Sequence, residues 1–475
     1  MRKHWVILCV LLGLGSVGAW GQPARGHKSA DTHGPPDRSS TDTFNVAVPP
    51  HPFDLILGRP EATSMTLSVL AYQDGEGFVA YGTQPGVCTM QTPVQRFTHG
   101  EPVTFTMREL PADAPCFYQF RSRSSAATPF ESSPEYAFHT ARPPGSAFTF
   151  TLTADAHLDG HTSSDVYRQT LANIASEQPD FHLDLGNLFM TDKHATRAEA
   201  AAQYLAERYY LSLIGRSAPV MLALGTHDGE SAKDAAGSGD SLAAWSNRMR
   251  TRFFPNPLPD GFYSGNTAPR PSLGLPQNYY AWEWGDALFV VLDPFSNSLP
   301  TRGGRDGWAW SLGLTQYQWL DETLGRSHAK YKFVFIHNLL CGDPAARGGV
   351  EVAGFNEWGG RNADGTNGFA QHRPGWGAPI HQLLVRHHVA AVFKAHDNFY
   401  ARQELDGIIY LMVPQPSFAG TDRIRDLETY GYKQGTFLGN SGHVRVSVSS
   451  GKVTVDYVES SPGARIADSY IIAGR

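Results

Sequence analysis

An α/β fold of stacked layers, preceded by an all-β sandwich, is what this sequence predicts, on three observations. Between Pro52 and about Pro144, short alternating strands are broken by Gly and Pro at intervals of roughly 8–12 residues, the rhythm of an antiparallel sandwich. After Pro144 the rhythm changes to strand, loop, helix. Several of these later strands run straight into Asp, His, Asn or Thr, so polar side chains collect at strand C-terminal ends, where layered α/β proteins build their sites.

In chain order, "MRKHWVILCVLLGLGSVGAWGQ" has a basic start, an apolar run from Trp5 to about Trp20, and the small residues Ala19 and Gly21 before Gln22. This is the pattern of a secretory signal peptide over residues 1–21. The run is short and Gly-interrupted against the ~20 apolar residues that span a bilayer. The expectation is a secreted or periplasmic protein with no membrane attachment after cleavage. Residues 22–50 are rich in Pro, Ser, Thr, Gly and charge without an apolar period, and read as a disordered linker.

Residues 51–144 form the sandwich, with strands "SMTLSVLAY", "GFVAYGT", "PVTFTMREL", "CFYQFRSR" and "YAFHTA". Tyr118, after the "LPADAPC" corner, is a candidate tyrosine-corner residue of a fibronectin-III-like module. Cys88 and Cys116 fall in this module and are candidates for a disulfide, provided their Cα atoms approach within about 7 Å; Cys341 is then single.

Residues 145–475 carry the layered domain. "AFTFTLTAD" is a strand, "SSDVYRQTLANIASEQ" an amphipathic helix, "DFHLDLGN" a strand, "RAEAAAQYLAERYYLSLIG" a helix and "APVMLALGT" a strand. Then come the strand "ALFVVLDP", the helix "TQYQWLDETLGRS", the strand "KYKFVFIH", the helix "GAPIHQLLVRHH" and the strand "VAAVFKAH". "IIYLMVPQPS" and "HVRVSVSSGKVTVDYVE" are strands that complete a second sheet. At 475 residues the chain is long for one core, which agrees with two domains. A net charge of −6 and no long Lys/Arg run argue against nucleic-acid or anionic-membrane partners.

The chemistry gathers at five strand ends. "LTADAHLD" offers Asp155 and His157, "LDLGNLFM" offers Asn187, and "LALGTHD" offers Thr226 and His227; "VFIHN" offers His337, and "FKAHDNF" offers His396 and Asn398. Imidazole and carboxylate together suit Zn, Fe or Mn.

In its order of motifs the series resembles the calcineurin-like metallophosphoesterase superfamily, which includes the purple acid phosphatases. That pattern is Asp-x-His, Gly-Asp, Gly-Asn-His-Asp/Glu, a lone His after a strand, and Gly-His-x-His. The resemblance covers about Ser146 to Tyr457. It implies a four-layer α/β sandwich of mixed sheets, metal-activated hydrolysis of a small phosphate mono- or diester, Asp155, His157, His337 and His396 as metal ligands, and His227 as the catalytic residue facing the substrate phosphate.

Three positions depart from the pattern. Asn187 replaces the carboxylate that bridges two metals, Thr226 replaces an amide ligand, and Asn398 replaces an imidazole. A bridging carboxylate holds two cations roughly 3.5–4 Å apart, and neutral Asn187 cannot offset their repulsion. Asp184 lies at an odd strand offset from Asn187 and is expected to point away from the site, as is Asp397 beside His396 if the strand continues that far, whereas Asp159 and Asp228 lie in loops where that argument does not apply. The expected metal content is one or none rather than two. Two readings follow: a mononuclear hydrolase, or a non-catalytic pseudo-phosphoesterase that binds a ligand or protein partner in the same cleft.

The Gly-, Asn- and Trp-rich stretch 348–377 is long enough to overhang the site. Arg347, Arg361 and Arg373 are candidate substrate contacts through bidentate bonds to phosphate, with solvated loop charges as the alternative. Trp308, Trp310, Trp358 and Trp376 read as loop packing or as a cleft floor. His387 and His388 read as helix C-terminal residues, and His182 as a core histidine.

Overall fold

A computed structural model describes residues 43–235, 240–299, 306–342 and 345–473. The signal-peptide segment and most of the linker lie outside these residues. No helix among the described residues is long and apolar enough to cross a membrane.

Two sheets face each other at the centre of the C-terminal domain. The six-stranded sheet runs in the order Val220–Leu222, Phe181–Asp184, Phe148–Thr153, Gly442–Val448, Lys452–Glu459, Ile466–Ala473. Its first three strands are parallel, and the rest join antiparallel from Gly442–Val448 onward. The eight-stranded sheet holds Ala287–Val291, Tyr331–Ile336, Ala391–Lys394 and Ile408–Met412 in parallel at its middle, with antiparallel strands outside. In "FTFTLT" alternate residues face opposite ways. Phe148, Phe150 and Leu152 therefore enter the core between the sheets, where Phe150 meets Phe289 edge-on at 5.1 Å.

Helices cover both outer faces. Ser164–Glu177, Arg197–Gly215 and Leu242–Phe253 pack on the smaller sheet, and Leu314–Arg326 and Ile380–Arg386 on the larger. The Arg197–Gly215 helix starts in a complete capping box between Thr196 and Glu199. Ser241 caps Leu242–Phe253, a helix that escaped the sequence reading. The result is the four-layer mixed sandwich expected for this domain.

The N-terminal module is a β-sandwich as expected, with Phe53–Gly58, Met65–Ala71 and Pro102–Met107 in one sheet and a second sheet built on Gly75–Gly82 and Pro115–Arg123. Tyr118 is no tyrosine corner. Its hydroxyl donates to the Arg216 carbonyl at 2.7 Å, at the end of the Arg197–Gly215 helix, so it ties the two domains together. Arg208 does the same from the helix interior, donating to the carbonyls of Asp54 and Ser68. Cys88, Cys116 and Cys341 are all free thiols, so the candidate disulfide is not formed. Residues 43–50, expected as the end of a disordered linker, are extended against the layered domain. Asn45 N–H donates to the Leu158 carbonyl, and Val46 and Val48 pack beside the helices.

Candidate functional site

All five motif loops converge, three of them through unusual backbone conformations. Asp155, His157, Asn187, His396 and Asn398 each have φ between +55° and +86°. Non-glycine residues enter this left-handed region at a cost, and such residues cluster at functional sites. Gly186 and Gly225 make the convergence possible. A Cβ on Gly225 would lie 2.0 Å from the Asn187 nitrogen, so the "LGN" and "LGT" loops touch backbone to backbone.

Asp155 is the hub, with no solvent exposure. Its Oδ2 accepts the His396 backbone N–H at 2.9 Å, and its Oδ1 accepts the Asn187 side-chain amide at 2.9 Å. His157 Nε2 lies 3.3 Å and His337 Nε2 3.8 Å from the same Oδ1. Burial alone would raise the Asp155 carboxyl, but the neighbouring His337 and His157 rings hold it well below the ordinary carboxylate range. Burial also opposes charge on His157, yet hydrogen bonding to Asp155 and Asp159 outweighs it and pushes the imidazole up to about 9. At neutral pH a His157 cation therefore sits between two carboxylates.

Asn187 explains why the substituted site holds together. The His227 backbone N–H donates to Asn187 Oδ1 at 2.8 Å. A backbone N–H can only donate, so the amide oxygen is pinned on that side and the NH₂ group is what faces Asp155. An NH₂ group carries no lone pair for a metal. Thr226 likewise bonds a surviving motif residue, whereas Asn398 does not. His396 Nε2–H donates to the Ala345 carbonyl at 2.7 Å, which leaves Nδ1 as an acceptor 3.4 Å from the Thr226 hydroxyl. Both nitrogens of His396 are thus engaged, and burial keeps the ring neutral. Asn398 presents a buried Oδ1 with no hydrogen-bond partner among the described residues.

His337 is different. Its Nδ1–H donates to the Leu185 carbonyl at 2.8 Å, which leaves Nε2 as a buried lone pair facing Asp155, and burial pushes the ring down to about 4. Orientation of an imidazole by a backbone carbonyl is the arrangement seen behind metal-bound histidines.

His227 gained a partner that sequence reading missed. Its Nδ1 bonds Asp192 Oδ1 at 2.9 Å, and Lys233 approaches the other oxygen at 3.3 Å. This fixes the ring and leaves Nε2 for a ligand. Asp192 lies five residues past Asn187 in "GNLFMTD", where no periodic signal marks it. Burial opposes its ionisation, but His227 and Lys233 hold its carboxyl down at about 2, below the ordinary 3.8. A folded-state value below the unfolded one adds stability above the unfolded value and loses it as pH falls through the folded one. Asp192→Asn is therefore expected to cost about 2 kcal/mol at pH 7. The deficit should close as pH falls from about 4 toward about 2, as read from urea midpoints across that range.

The remaining candidates divide clearly. Asp228 accepts backbone N–H groups from Asn187, Phe189 and Gly225, so it welds loops and ligates nothing. Asp184 points away as expected, bonded to Thr153 and the Gly186 N–H. His182 is a core residue whose two ring nitrogens bond Thr151 and Thr153. Arg373, a candidate substrate contact, is instead a strut. It pairs with buried Glu357 and donates to the carbonyls of Trp308 and Trp310. Arg361 is exposed in a bridged loop with Phe355 and Asn367. Arg347 braces the His396 turn, donating to the His396 carbonyl at 2.8 Å and to Asp397 at 3.1 Å. Trp308, Trp310 and Trp358 are buried packing residues, and Trp376 packs on Tyr317.

These residues do not fit a two-metal centre. The bridging position offers an amide NH₂, and His396 is bonded through both nitrogens.

No family model and no curated relative matches this chain. Solved structures do. "Structure of PhoD" matches with a TM-score of 0.60 at 15% identity, covering 90% of this chain and 92% of that one. Purple acid phosphatase PPD1 from yellow lupin (Lupinus luteus) seeds matches with a TM-score of 0.60 at 14% identity, covering 88% of this chain and 74% of that one. The order of motif loops, the paired mixed sheets between helical layers and these two likenesses agree: the chain has the calcineurin-like metallophosphoesterase fold.

Proposed function

We propose that this is an exported protein of metallophosphoesterase fold whose cleft binds a small phosphoester-type anion and does not run two-metal hydrolysis. The observation that carries this reading is the Asn187 amide, turned by the His227 N–H so that its NH₂ group occupies Asp155 Oδ1. Each of two lost ligand positions now bonds a surviving motif residue, Asn187 to Asp155 and Thr226 to His396. His157 Nε2 stands 3.3 Å from Asp155 Oδ1, where the imidazole can carry positive charge beside the carboxylate without a metal. His227, braced by Asp192, presents Nε2 to the ligand.

A second reading, a mononuclear hydrolase, is favoured by one feature. His337 Nε2 and Asp155 Oδ1 are two buried acceptors 3.8 Å apart, a gap that a single cation fits, with His157 Nε2 beside it once deprotonated. A bound metal would there supply Lewis acidity and an activated water.

Elemental analysis of protein purified from the exported fraction without chelator, paired with hydrolysis of a model phosphomonoester, tests both. Essentially no bound transition metal after supplementation, with no hydrolysis, is the expected result. About one ion per chain with turnover selects the mononuclear reading, and about two per chain overturns the proposal.

A further inference from the structure

The segment after the Ile408–Met412 strand folds back over the Asp155 loop. Ser417 Oγ donates to the Ala156 carbonyl at 2.7 Å, Ser163 N–H to the Ser417 carbonyl at 2.7 Å, and Thr162 bridges Phe418. Within this cover Gln415, 1% exposed, donates Nε2–H to the Asp155 carbonyl at 2.8 Å. Its other end accepts from Arg423, Nε at 3.3 Å and Nη2 at 3.1 Å. The Arg423 guanidinium also lies over the Phe418 ring, 4.6 Å from its centroid. One edge and one face of this cation are therefore held, while Nη1 makes no hydrogen bond among the described residues. The side chain is only half-buried. A guanidinium fixed in this way is pre-organised, so little entropy is lost when its open edge meets an oxyanion.

The surrounding charges allow an anion here. The carboxylates of Asp155 and Asp159 both face the His157 ring that lies between them, at 3.3 and 3.4 Å. Asp397 is paired with Arg347 and Lys394. Asp422, the neighbour in sequence, is exposed and opposes the anion only through solvent. Arg347 stacks on Tyr430 at 4.7 Å, and Tyr430 lies within electrostatic reach of Arg347 and Arg423 but also of Asp426 and the paired Asp397, so two cations flank this lip and the Asp426 carboxylate is the charge that opposes an anion there.

We propose that Arg423 is the oxyanion-recognition residue of the cleft, binding a phosphate or sulfate monoester through the open Nη1 edge of its guanidinium, with Gln415 as the positioning residue that couples it to the Asp155 loop. This rests on the reading that the cleft takes a ligand of that class. It assigns a recognition role to a residue outside the five motif loops, and it distinguishes Arg423 from Arg347, whose bonds hold the His396 turn.

The test is calorimetric titration of chelator-treated full-length protein with inorganic phosphate and, separately, sulfate at constant ionic strength. Saturable binding by wild type and a loss of about 10- to 100-fold in Arg423→Gln are expected, the span of one charge-assisted hydrogen bond. Arg423→Lys keeps the charge without the two-point grip on Gln415, and is expected to bind at least about fivefold more weakly than wild type. Arg326→Gln, on the exposed end of the Leu314–Arg326 helix, should bind as wild type. Preference for one anion over the other identifies which ester the lip selects. Absence of binding by wild type overturns the inference, as does wild-type affinity in a folded Arg423→Gln; if the Gln variant does not fold, wild-type affinity in Arg423→Lys overturns it. Two metals per chain would instead sink the reading of the cleft and leave the phosphate titration standing on its own.

Discussion

Reverting Asn187→Asp, Thr226→Asn and Asn398→His together is expected to raise bound metal to about two per chain and to bring phosphoester hydrolysis up by about a thousandfold or more, since metal assistance is worth several kcal/mol of barrier. The physical case lies in the intermediate step. Asn187→Asp alone replaces an NH₂ donor 2.9 Å from Asp155 Oδ1 with a carboxylate, while the His227 N–H still binds the other oxygen. Two buried anions then face each other where an amide donor had been, with only His157 beside them to offset the added charge, so this single variant should be less stable than wild type in chelator. It should regain stability on metal addition, because a ligand bound only by the folded state stabilises it by mass action. Wild type should be indifferent to the same metal at the same concentration. Thermal unfolding with and without chelator reads the difference. A single variant as stable as wild type in chelator would mean the Asn187 amide does not hold Asp155 as described.

The largest expected loss of stability is at the domain seam. Arg208 is fully buried and donates Nη1–H to Ser68 Oγ at 3.1 Å, and Nη2–H to the carbonyls of Asp54 at 3.0 Å and Ser68 at 3.1 Å. It also reaches the Phe253 carbonyl, at the end of the neighbouring helix. Burial pushes its pKa down to about 10, against the opposing charge of Asp54, so it remains a cation at neutral pH. Arg208→Met approximates the volume and removes every donor. Leaving several buried acceptors and the Asp54 charge without this partner is expected to cost about 3–5 kcal/mol. Calorimetry should show a lower transition, with the sandwich and the layered domain no longer melting as one. A loss under about 1 kcal/mol would mean that Tyr118 and the apolar contacts carry the seam without Arg208.

Neither effect was legible at the level of motifs. Asn187 reads in sequence as a lost ligand, but its bond to Asp155 depends on a backbone N–H forty residues away. Asp192 has no spacing that marks it, and it acquires a role only because the loops at residues 187–192 and 225–228 meet. Arg347 and Arg373 read as phosphate contacts because their loop is long and cationic. Packing commits Arg373 to Glu357 and Arg347 to Asp397 and the His396 turn. Arg423 drew no attention at all, since nothing in "GTDRIRD" indicates that Gln415 will join it to Asp155.

What the sequence determined by itself was the order of most strands and helices, Leu242–Phe253 excepted, the change of architecture near Pro144, and the placing of Asp155, Asn187, His227, His337 and His396 at strand ends. Periodicity and strand termini are local properties, and a chain of this length repeats them often enough to be read. Only the tertiary structure decided which atom of Asn187 faces Asp155, which arginines are struts, and where Tyr118 and residues 43–50 are bound. Those outcomes are set by single hydrogen bonds between segments from about forty to more than one hundred residues apart, absent from any local pattern, and at Asn187 formed where glycines let loops touch.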